Sequence, residues 1–570
     1  MQSDKGESSL DALGPRFAAE IQCLVSRAPV DGPSGERHRV QGGVVQPSRI
    51  GKILALVSAV GLISSFAFGA TITGKVTGPD GSPFRAAYVQ ARNSKTRVTV
   101  IVLSGNDGRY RIENLPAGDY QVRAKAIGYR ADPMSGIVLA ANQNASFDWT
   151  LQKQMVRWDE IPIIQGIDLF PAGAGKDKFS RCGSSCHGFQ QFINVRRDEN
   201  GWREVLKDQM STRIGGGVVY SVVKNDQDVN ELAAYASKIF GTGSEALPES
   251  PADVPGYADW MKQFSDDALR IVYVMYEMPP GRMTWDANPD KDGNVWCPYF
   301  GTVNGVGRLN PDTGELKEYL WESQQPRVGT RSAQMTRDGV SAWVVEEGGT
   351  LVKVDVKTGK QTKYKGPGKT MNTVREDPNG ILWVSGSPFS YRFDPKTGTY
   401  TELKDVPNTY GANLDKAGNI WFDEASGQGR IFKVEYKTGK VTIWTPPPQP
   451  GSRRRFQVDS NGIGWLAQYD RGQIVRLDTE TGAFKEYQLP GEQPTPYPIG
   501  IDANNQVWYA SGIMDTVGRL DPVTGKITEY PPPAVGNGMR ELNTDPKGRM
   551  WFASPGNNTV GYIYLANEAK

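Results

Sequence analysis

Histidine is almost absent from this chain of 570 residues, which contains only His38 and His187. Histidine is the side chain whose ordinary pKa lies nearest neutrality, and it is the most frequent general base in enzymes. From residue 188 to residue 570 the sequence contains no histidine. That stretch therefore offers no imidazole base, which argues against histidine-dependent catalysis there.

An excess of charge of either sign is also absent. Lysine and arginine number 65, aspartate and glutamate number 63, and the formal net charge is +2. Without a basic excess, nucleic acid is a poor candidate partner. Hydrophobic residues make up 38% of the chain and charged residues 22%, which excludes a disordered chain and a multi-span membrane protein. The length predicts two to four folded units.

Only one long apolar run is present, from residue 53 to residue 70, and the basic residues Arg49 and Lys52 precede it. A basic flank, an apolar run and a small-residue end are typical of a secretory signal peptide. The alternative is an uncleaved anchor, because a run of this length can just span a bilayer. We therefore predict that residues 1–70 are an N-terminal extension with a signal peptide, and that the protein is periplasmic or otherwise exported. A membrane is an expected partner only if the signal segment stays uncleaved.

Residues 71–152 alternate apolar and polar side chains between turn signals, which predicts a half-buried antiparallel sheet. Two stretches stand out, Pro79-Asp80-Gly81 and Asp107-Gly108-Arg109-Tyr110, the second followed by Leu115-Pro-Ala-Gly118. The segment resembles the carboxypeptidase regulatory-like domain, a transthyretin-like β-sandwich. It contains no cluster of histidine, cysteine or carboxylates, which favours a spacer or protein-contact module, with carbohydrate binding as the alternative.

The strongest chemical motif is Cys182-Gly183-Ser184-Ser185-Cys186-His187. Two cysteines directly followed by histidine resemble the attachment motif of c-type haem, with one residue more than the usual spacing. The resemblance implies one covalent haem c, thioether bonds from Cys182 and Cys186, and His187 as the proximal iron ligand. A Cys182–Cys186 disulfide and a bound metal ion are the alternatives.

Helical spacing of apolar residues over 201–210 and 228–240 supports that resemblance. Met210 is the only methionine between the motif and residue 260, so we expect it to be the distal iron ligand. The alternative is an open or differently occupied sixth position. Residues 165–243 are thus predicted to be a small all-α cytochrome c domain.

Tryptophans recur about every 43 residues in the second half of the chain, at Trp296, Trp343, Trp383, Trp421, Trp465, Trp508 and Trp551. A tight-turn pair precedes most of them, and Thr-Gly follows six of them. Four short strands per repeat with one buried aromatic residue are typical of β-propeller blades. We predict a mainly β, multidomain protein with a seven-bladed propeller over residues 267–570, closed by a strand at residues 270–278 beside residues 559–565.

The repeat unit, Asp-x-x-Gly-x-apolar-Trp followed by Arg-apolar-Asp-Pro-x-Thr-Gly, resembles the virginiamycin B lyase propeller. That family uses a histidine base beside a divalent metal, and this stretch has no histidine to supply the base. Four acidic residues follow the tryptophans and could hold a cation: Glu346, Glu347, Asp423 and Glu424. The simpler interpretation is that they are solvated hairpin residues.

Cys297 is expected to be an inert buried thiol.

Residues that lead into the innermost strands are expected to face the central channel. Seven of them would suit an anionic or aromatic ligand: Arg331, Asn372, Tyr410, Arg454, Arg455, Tyr497 and Arg540. The alternative is that these side chains merely rim a water-filled channel.

Three functions remain open from the sequence. The first is an exported electron-transfer protein with one haem, whose propeller binds a periplasmic redox partner or a small-molecule substrate. The second is a propeller enzyme, either lyase-like or a haem-coupled oxidoreductase, so whether the protein is an enzyme stays undecided. The third is a structural surface protein without haem.

Overall fold

The computed structural model describes residues 69–185, 188–189, 196–212, 225–243, 260–301, 303–322, 329–346, 348–368, 370–425, 427–447 and 453–566. Within these ranges the protein is mainly β with few helices, which confirms the predicted mainly β, multidomain class. The predicted signal peptide falls on residues 1–70 and lies almost wholly outside the described residues. None of the described helices has the length and apolar character that crossing a bilayer requires.

The N-terminal β domain is built from ten strands: β1 (Ala70–Thr77), β2 (Tyr88–Asn93), β3 (Val98–Leu103), β4 (Arg109–Leu115), β5 (Gly118–Ala126), β6 (Tyr129–Arg130), β7 (Met134–Leu139), β8 (Asn144–Ser146), β9 (Trp149–Thr150) and β10 (Gln152–Lys153). One sheet has the order β4-β1-β8, with β9 also on β1. The second runs β10-β6-β5-β2-β3, with β7 also on β5. The apolar residues of both sheets are buried in one cluster, as the period-2 pattern predicts.

Four α-helices follow among the residues that the structure describes: α1 (Ile163–Leu169), α2 (Lys176–Ser185), α3 (Glu199–Thr212) and α4 (Asp226–Phe240). Asn225 caps α4, because its side chain accepts a hydrogen bond from the backbone N–H of Asp228. The helices share an aromatic core that includes Phe170, Phe179 and Phe240.

In its described residues the C-terminal β domain contains 28 strands: β11 (Ile271–Glu277), β12 (Asn288–Pro289), β13 (Val295–Pro298), β14 (Gly305–Leu309), β15 (Leu316–Leu320), β16 (Thr330–Met335), β17 (Ser341–Glu346), β18 (Thr350–Asp355), β19 (Gln361–Lys365), β20 (Thr370–Glu376), β21 (Leu382–Ser387), β22 (Phe389–Asp394), β23 (Thr399–Pro407), β24 (Thr409–Leu414), β25 (Ile420–Glu424), β26 (Ile431–Val434), β27 (Val441–Trp444), β28 (Arg453–Val458), β29 (Gly464–Gln468), β30 (Gln473–Leu477), β31 (Phe484–Gln488), β32 (Pro496–Ile501), β33 (Val507–Ser511), β34 (Thr516–Leu520), β35 (Ile527–Tyr530), β36 (Leu542–Thr544), β37 (Met550–Ser554) and β38 (Thr559–Leu565).

Strands β12 to β35 form consecutive four-stranded antiparallel sheets, each built from four strands adjacent in sequence. The last three strands, β36 to β38, are completed by β11 from the start of the domain. Their register runs from Ile271 opposite Leu565 to Glu277 opposite Thr559. The predicted pairing of residues 270–278 with residues 559–565 is therefore confirmed.

Strand β11 also pairs on its other edge with β3 of the N-terminal domain, from Tyr273 opposite Ile101 to Tyr276 opposite Val98. The second sheet of that domain thus continues through β11 into β38, β37 and β36 as one ten-stranded sheet. Two ion pairs flank the junction, Arg92 with Glu277 at 2.7 Å and Arg85 with Asp266 at 3.0 Å. This shared sheet, which the sequence analysis missed, leaves β11 without an open edge.

An aspartate six residues before the tryptophan organises most repeats. Its Oδ2 accepts a hydrogen bond from the indole Nε1–H at 2.9 to 3.1 Å in the repeats of Trp296, Trp383, Trp421, Trp465, Trp508 and Trp551. In each case Oδ1 accepts the backbone N–H four residues after the aspartate. One carboxylate therefore holds both the tight turn and the buried indole ring.

The repeat of Trp343 differs, because Arg337 stands where the aspartate stands elsewhere. There the Thr336 hydroxyl closes the turn: it accepts the N–H of Ser341 at 3.0 Å and donates to the Asp338 carboxylate at 2.5 Å.

Replacement of Asp459 by alanine should lower the free energy of unfolding by about 2–4 kcal/mol, because it leaves the indole N–H of Trp465 and two turn N–H groups without their acceptor. The matched control is Asp478→Ala, at a more exposed hairpin turn, with an expected loss of less than about 1 kcal/mol. The urea midpoint, followed by tryptophan fluorescence, measures both. Equal midpoints for the two variants would contradict this role of the aspartate.

Candidate functional site

The predicted haem ligands fall at the edge of the described chain. The backbone of Cys182 lies in the last turn of α2, and the backbone of Met210 lies near the end of α3. The side chains of both residues, and all of Cys186 and His187, lie outside the described residues. Their roles therefore stay predictions.

The helix that carries Cys182 packs against α4. The ring of Phe179 on α2 lies 5.8 Å from that of Tyr235 and 5.7 Å from that of Phe240, measured between centroids. On the same helix, the Lys178 ammonium pairs with Asp228 at 2.9 Å and Glu231 at 2.6 Å. An aromatic core with an ionic rim thus fixes the orientation of α2 on α4.

The helices in turn contact the turn between β33 and β34. Ile513 and Met514 belong to the same buried cluster as the helical aromatic residues. Next to them, burial raises the pKa of the Asp515 carboxyl to about 7, and the nearby backbone N–H of Ile163 at the start of α1 opposes that rise. The carboxylate accepts the N–H of Gly536 at 2.7 Å and a side-chain amide N–H of Asn537 at 2.8 Å. One carboxylate therefore joins the helices to the loop that precedes Arg540.

All seven residues predicted for the central channel are buried, and six of them lie in the first half of an innermost strand. Arg540 lies just before β36 instead. We call this group the mouth cluster: Arg331, Asn372, Tyr410, Arg454, Arg455, Tyr497 and Arg540.

Direct contacts join the members of the mouth cluster. Arg331 donates to the Asn372 side chain at 2.9 Å. The hydroxyls of Tyr410 and Tyr497 share a hydrogen bond. The Arg540 guanidinium lies 4.4 Å from the centroid of the Tyr497 ring. The structure thus brings these sequence-predicted residues together at one end of the inner strands.

Two buried carboxylates that the sequence analysis missed balance part of this positive charge. Arg455 donates to Asp286 at 3.0 Å and forms an ion pair with Glu541 at 2.8 Å. Burial opposes the charge of Arg455, but Glu541 and Asp286 raise its pKa above the ordinary value. Burial and the neighbouring Glu541 also raise the pKa of Asp286, to about 7. Asp286 precedes β12 and Glu541 precedes β36, so only ring closure brings them to Arg455.

The carboxylates considered as cation ligands have different surroundings. Glu424 pairs with Arg430 at 2.8 Å, and Glu346 accepts the indole N–H of Trp321 at 3.2 Å. Glu347 lies outside the described residues. Across the part of the chain that the structure describes, no group of three histidine, cysteine or acidic side chains is arranged to hold a metal ion.

Asp423 is the exception among these acids, because its buried Oδ2 accepts no hydrogen bond within the described structure. Burial raises the pKa of its carboxyl to about 7, and the nearby Arg455 and Arg454 oppose that rise.

Cys297 is a free, fully buried thiol as expected, and burial raises its pKa above the ordinary value.

Two family models match parts of the chain. The carboxypeptidase regulatory-like domain model matches residues 71–152, and the virginiamycin B lyase family model matches residues 399–570. The chain contains a carboxypeptidase regulatory-like domain and a virginiamycin B lyase-like β-propeller. The two predicted resemblances at either end of the chain are thereby confirmed, whereas the cytochrome resemblance between them stays a prediction.

Solved structures with propeller folds also resemble the chain. Virginiamycin B lyase from Staphylococcus aureus is 19% identical and covers 51% of this chain and 99% of its own, with a TM-score of 0.46. A streptogramin B lyase structure is 21% identical and covers 52% and 98%, with a TM-score of 0.46. The Cps50 (Swd1) β-propeller domain of Myceliophteria thermophila is 11% identical and covers 51% and 99%, with a TM-score of 0.42. At these scores the likenesses add nothing to the strand order described above.

Among curated proteins, serine-aspartate repeat-containing protein D of Staphylococcus aureus strains Newman and MW2 is 22% identical over 396 residues. The match covers 65% of this chain but only 26% of each relative. The chain therefore spans about a quarter of the length of these curated relatives.

Asp423→Asn should make the protein more stable than the wild type near neutral pH. The carboxyl of Asp423 has a pKa of about 7 in the folded protein, against an ordinary value of 3.8. Its contribution to the free energy of unfolding is therefore complete below pH 4 and is lost as the pH rises from 4 through 7. The asparagine does not titrate, so its advantage should grow across this window by up to about 1.4 kcal/mol per pH unit. Urea unfolding at pH 4, 5.5 and 7.5 measures the difference.

The control is Asp338→Asn, for which the difference in stability from the wild type should change with pH in the opposite direction. Hydrogen bonds from the Thr336 hydroxyl and the Val340 N–H lower the pKa of Asp338, so its stabilising effect is present above pH 4 and lost below. A stability difference between Asp423→Asn and the wild type that does not change with pH would contradict the raised pKa.

Proposed function

We propose that this protein is an exported c-type haem protein that transfers electrons through one covalently bound haem c. Its propeller is the platform that binds a periplasmic redox partner or a small-molecule substrate. The observation that carries the proposal is the packing of α2, the helix bearing the first motif cysteine, on α4 through Phe179, Tyr235 and Phe240. This packing places the start of the motif beside a buried aromatic core.

Within the helical domain, Cys182 and Cys186 would hold the haem through thioether bonds, and His187 and Met210 would be its axial ligands. The donor set fits, because two thiols and an imidazole within six residues match what covalent haem attachment requires. Bound haem supplies one-electron chemistry, and a thioether ligand raises its reduction potential. The aromatic core excludes water from one side of the motif helix, and the Lys178 ion pairs hold that helix in place.

The propeller part of the proposal is a closed ring of seven blades. Six four-stranded sheets and the β11-β38-β37-β36 group supply the seven units. The packing of Ile513 and Met514 in the aromatic core of the helices supports the idea that the helical domain docks on this ring, beside Asp515 and the loop that leads to Arg540 of the mouth cluster.

The lyase alternative is weaker. The stretch matched by the virginiamycin B lyase family model contains no histidine, so it lacks the base on which that family depends. A haem-coupled oxidoreductase would use the same helical domain and the same mouth cluster, and a structural surface protein would have Cys182 and Cys186 paired.

Expression with a cytochrome c maturation system should give protein with sharp α-bands in the reduced absorption spectrum. The variants Cys182→Ala and Cys186→Ala should each lose thioether attachment at the altered position, and the double variant should lose covalent haem. Cys297→Ser is the matched control and should keep the wild-type spectrum, because Cys297 is buried in the propeller. Wild-type protein that is colourless under these conditions would refute the haem proposal.

Met210→Ala should open the sixth position of the iron, lower the reduction potential and allow carbon monoxide to bind, because axial ligand identity sets these properties. The control is Met155→Ala, a methionine that is exposed on the N-terminal side of the helices. Redox titration and the far-red sulfur–iron absorption band measure the change. If the wild type lacks that band but carries thioether-bound haem, Met210 is not the ligand and the oxidoreductase alternative is favoured.

A further inference from the structure

Arg454 is a buried cation in the mouth cluster that forms no ion pair with a carboxylate among the described residues. It is 5% exposed. Its guanidinium carbon lies 5.8, 5.1 and 5.4 Å from the ring centroids of Tyr410, Tyr469 and Tyr497. The three tyrosines form one buried cluster with Ala425. Ring faces offset part of the cost of burying the charge, but they provide no hydrogen-bond acceptor for its N–H groups.

The hydrogen bonds of Arg454 leave one edge of the guanidinium open. Nη1 donates to the carbonyl of Arg453 at 2.9 Å, and within the described structure neither Nε nor Nη2 donates to a protein atom. The neighbouring Arg455 is different, because its Nη2 reaches Asp286 at 3.0 Å and its Nε pairs with Glu541 at 2.8 Å. Adjacent arginines on one strand thus differ: two carboxylates lie within ion-pair distance of Arg455, whereas Arg454 interacts with the buried Asp423 carboxyl only at longer range.

The open edge has the geometry of carboxylate recognition. Nε–H and Nη2–H of a guanidinium point the same way and match the two oxygens of a carboxylate. The three tyrosine rings hold the guanidinium in one place before a ligand arrives, which reduces the entropy lost on binding.

Further aromatic contacts extend through the mouth cluster beside these tyrosines. Tyr410 and Tyr497 lie edge to face with centroids 6.3 Å apart, and Tyr469 and Tyr497 do so at 6.2 Å. The half-buried Trp285 stacks on Phe300 at 4.0 Å, and the Arg540 guanidinium lies 5.0 Å from the Trp285 ring. A planar ring attached to the carboxylate would find both apolar contact and positive potential there.

We propose that the mouth cluster binds a small aromatic carboxylate, with Nε and Nη2 of Arg454 donating to its two oxygens. This inference rests on the proposed role of the propeller as a binding platform and names the ligand class of that site. It does not depend on the haem.

Calorimetric titration of the full chain, prepared as haem-loaded protein, tests the inference with benzoate as the probe. Benzoate should bind saturably, and benzamide, its neutral analogue, should not. Arg454→Gln should weaken benzoate binding at least tenfold, since it removes the positive charge and the paired N–H donors of the guanidinium. Arg454→Lys keeps the charge but lacks the paired donors, so it should also bind benzoate more weakly than the wild type.

The matched control is Arg476→Gln, a partly buried arginine on β30 whose guanidinium pairs with Asp478 at 3.6 Å. This variant should bind benzoate like the wild type. If Arg454→Gln does not fold, Arg454→Lys supplies the comparison. Benzoate binding that is equal in the wild type and the folded Arg454 variants, or absent from the wild type, would overturn the inference.

The two proposals fail separately. Protein that acquires no covalent haem when expressed with the maturation system, but that binds benzoate in an Arg454-dependent way, would refute only the electron-transfer role. Haem-loaded protein that does not bind benzoate would refute only the proposed carboxylate site.

Discussion

The rest of the structure depends on the double pairing of strand β11. One edge of β11 completes the last sheet of the propeller by pairing with β38, and the other edge pairs with β3 of the N-terminal domain. Backbone hydrogen bonds on both sides leave the strand no freedom to shift without breaking a ladder. The helices, which lie between β10 and β11 in the chain, are therefore anchored at both ends to one ten-stranded sheet.

Ring closure also determines the electrostatics of the channel. Asp286 follows β11 closely, whereas Arg455 and Glu541 lie far later in the chain, yet all three meet in one buried ion cluster. Breaking such a cluster by removing one partner would leave an uncompensated buried charge, which is strongly unfavourable. The cluster neutralises Arg455, whereas Arg454, which lies over three tyrosine rings, has no carboxylate within ion-pair distance among the described residues. In six of the repeats the Asp–Trp hydrogen bonds hold the inner hairpin in the position that makes this arrangement possible.

Much of the fold was predictable, because it rests on local patterns. The spacing of Trp465 and its relatives, the Asx-Gly turns and the apolar run of β11 each follow from periodicity and turn chemistry. The pairing of β11 with β3 was not predictable, since an apolar run shows that a strand is buried but not which strand covers it. The ion-pair partners of Arg455 were not predicted for the same reason. The sequence does not indicate which acidic residues the closed ring brings close to this arginine. The arginines and tyrosines of the mouth cluster were found because they occupy equivalent positions in successive repeats.

Covalent attachment of haem through Cys182 and Cys186 is the central claim of the proposed function. Intact mass measurement after acid denaturation tests that claim most directly, on protein matured in the periplasm of a host with a cytochrome c maturation system. The account predicts a polypeptide heavier by the mass of one haem. A mass two hydrogens below that of the free polypeptide would show a disulfide in place of the thioether bonds and would contradict the account.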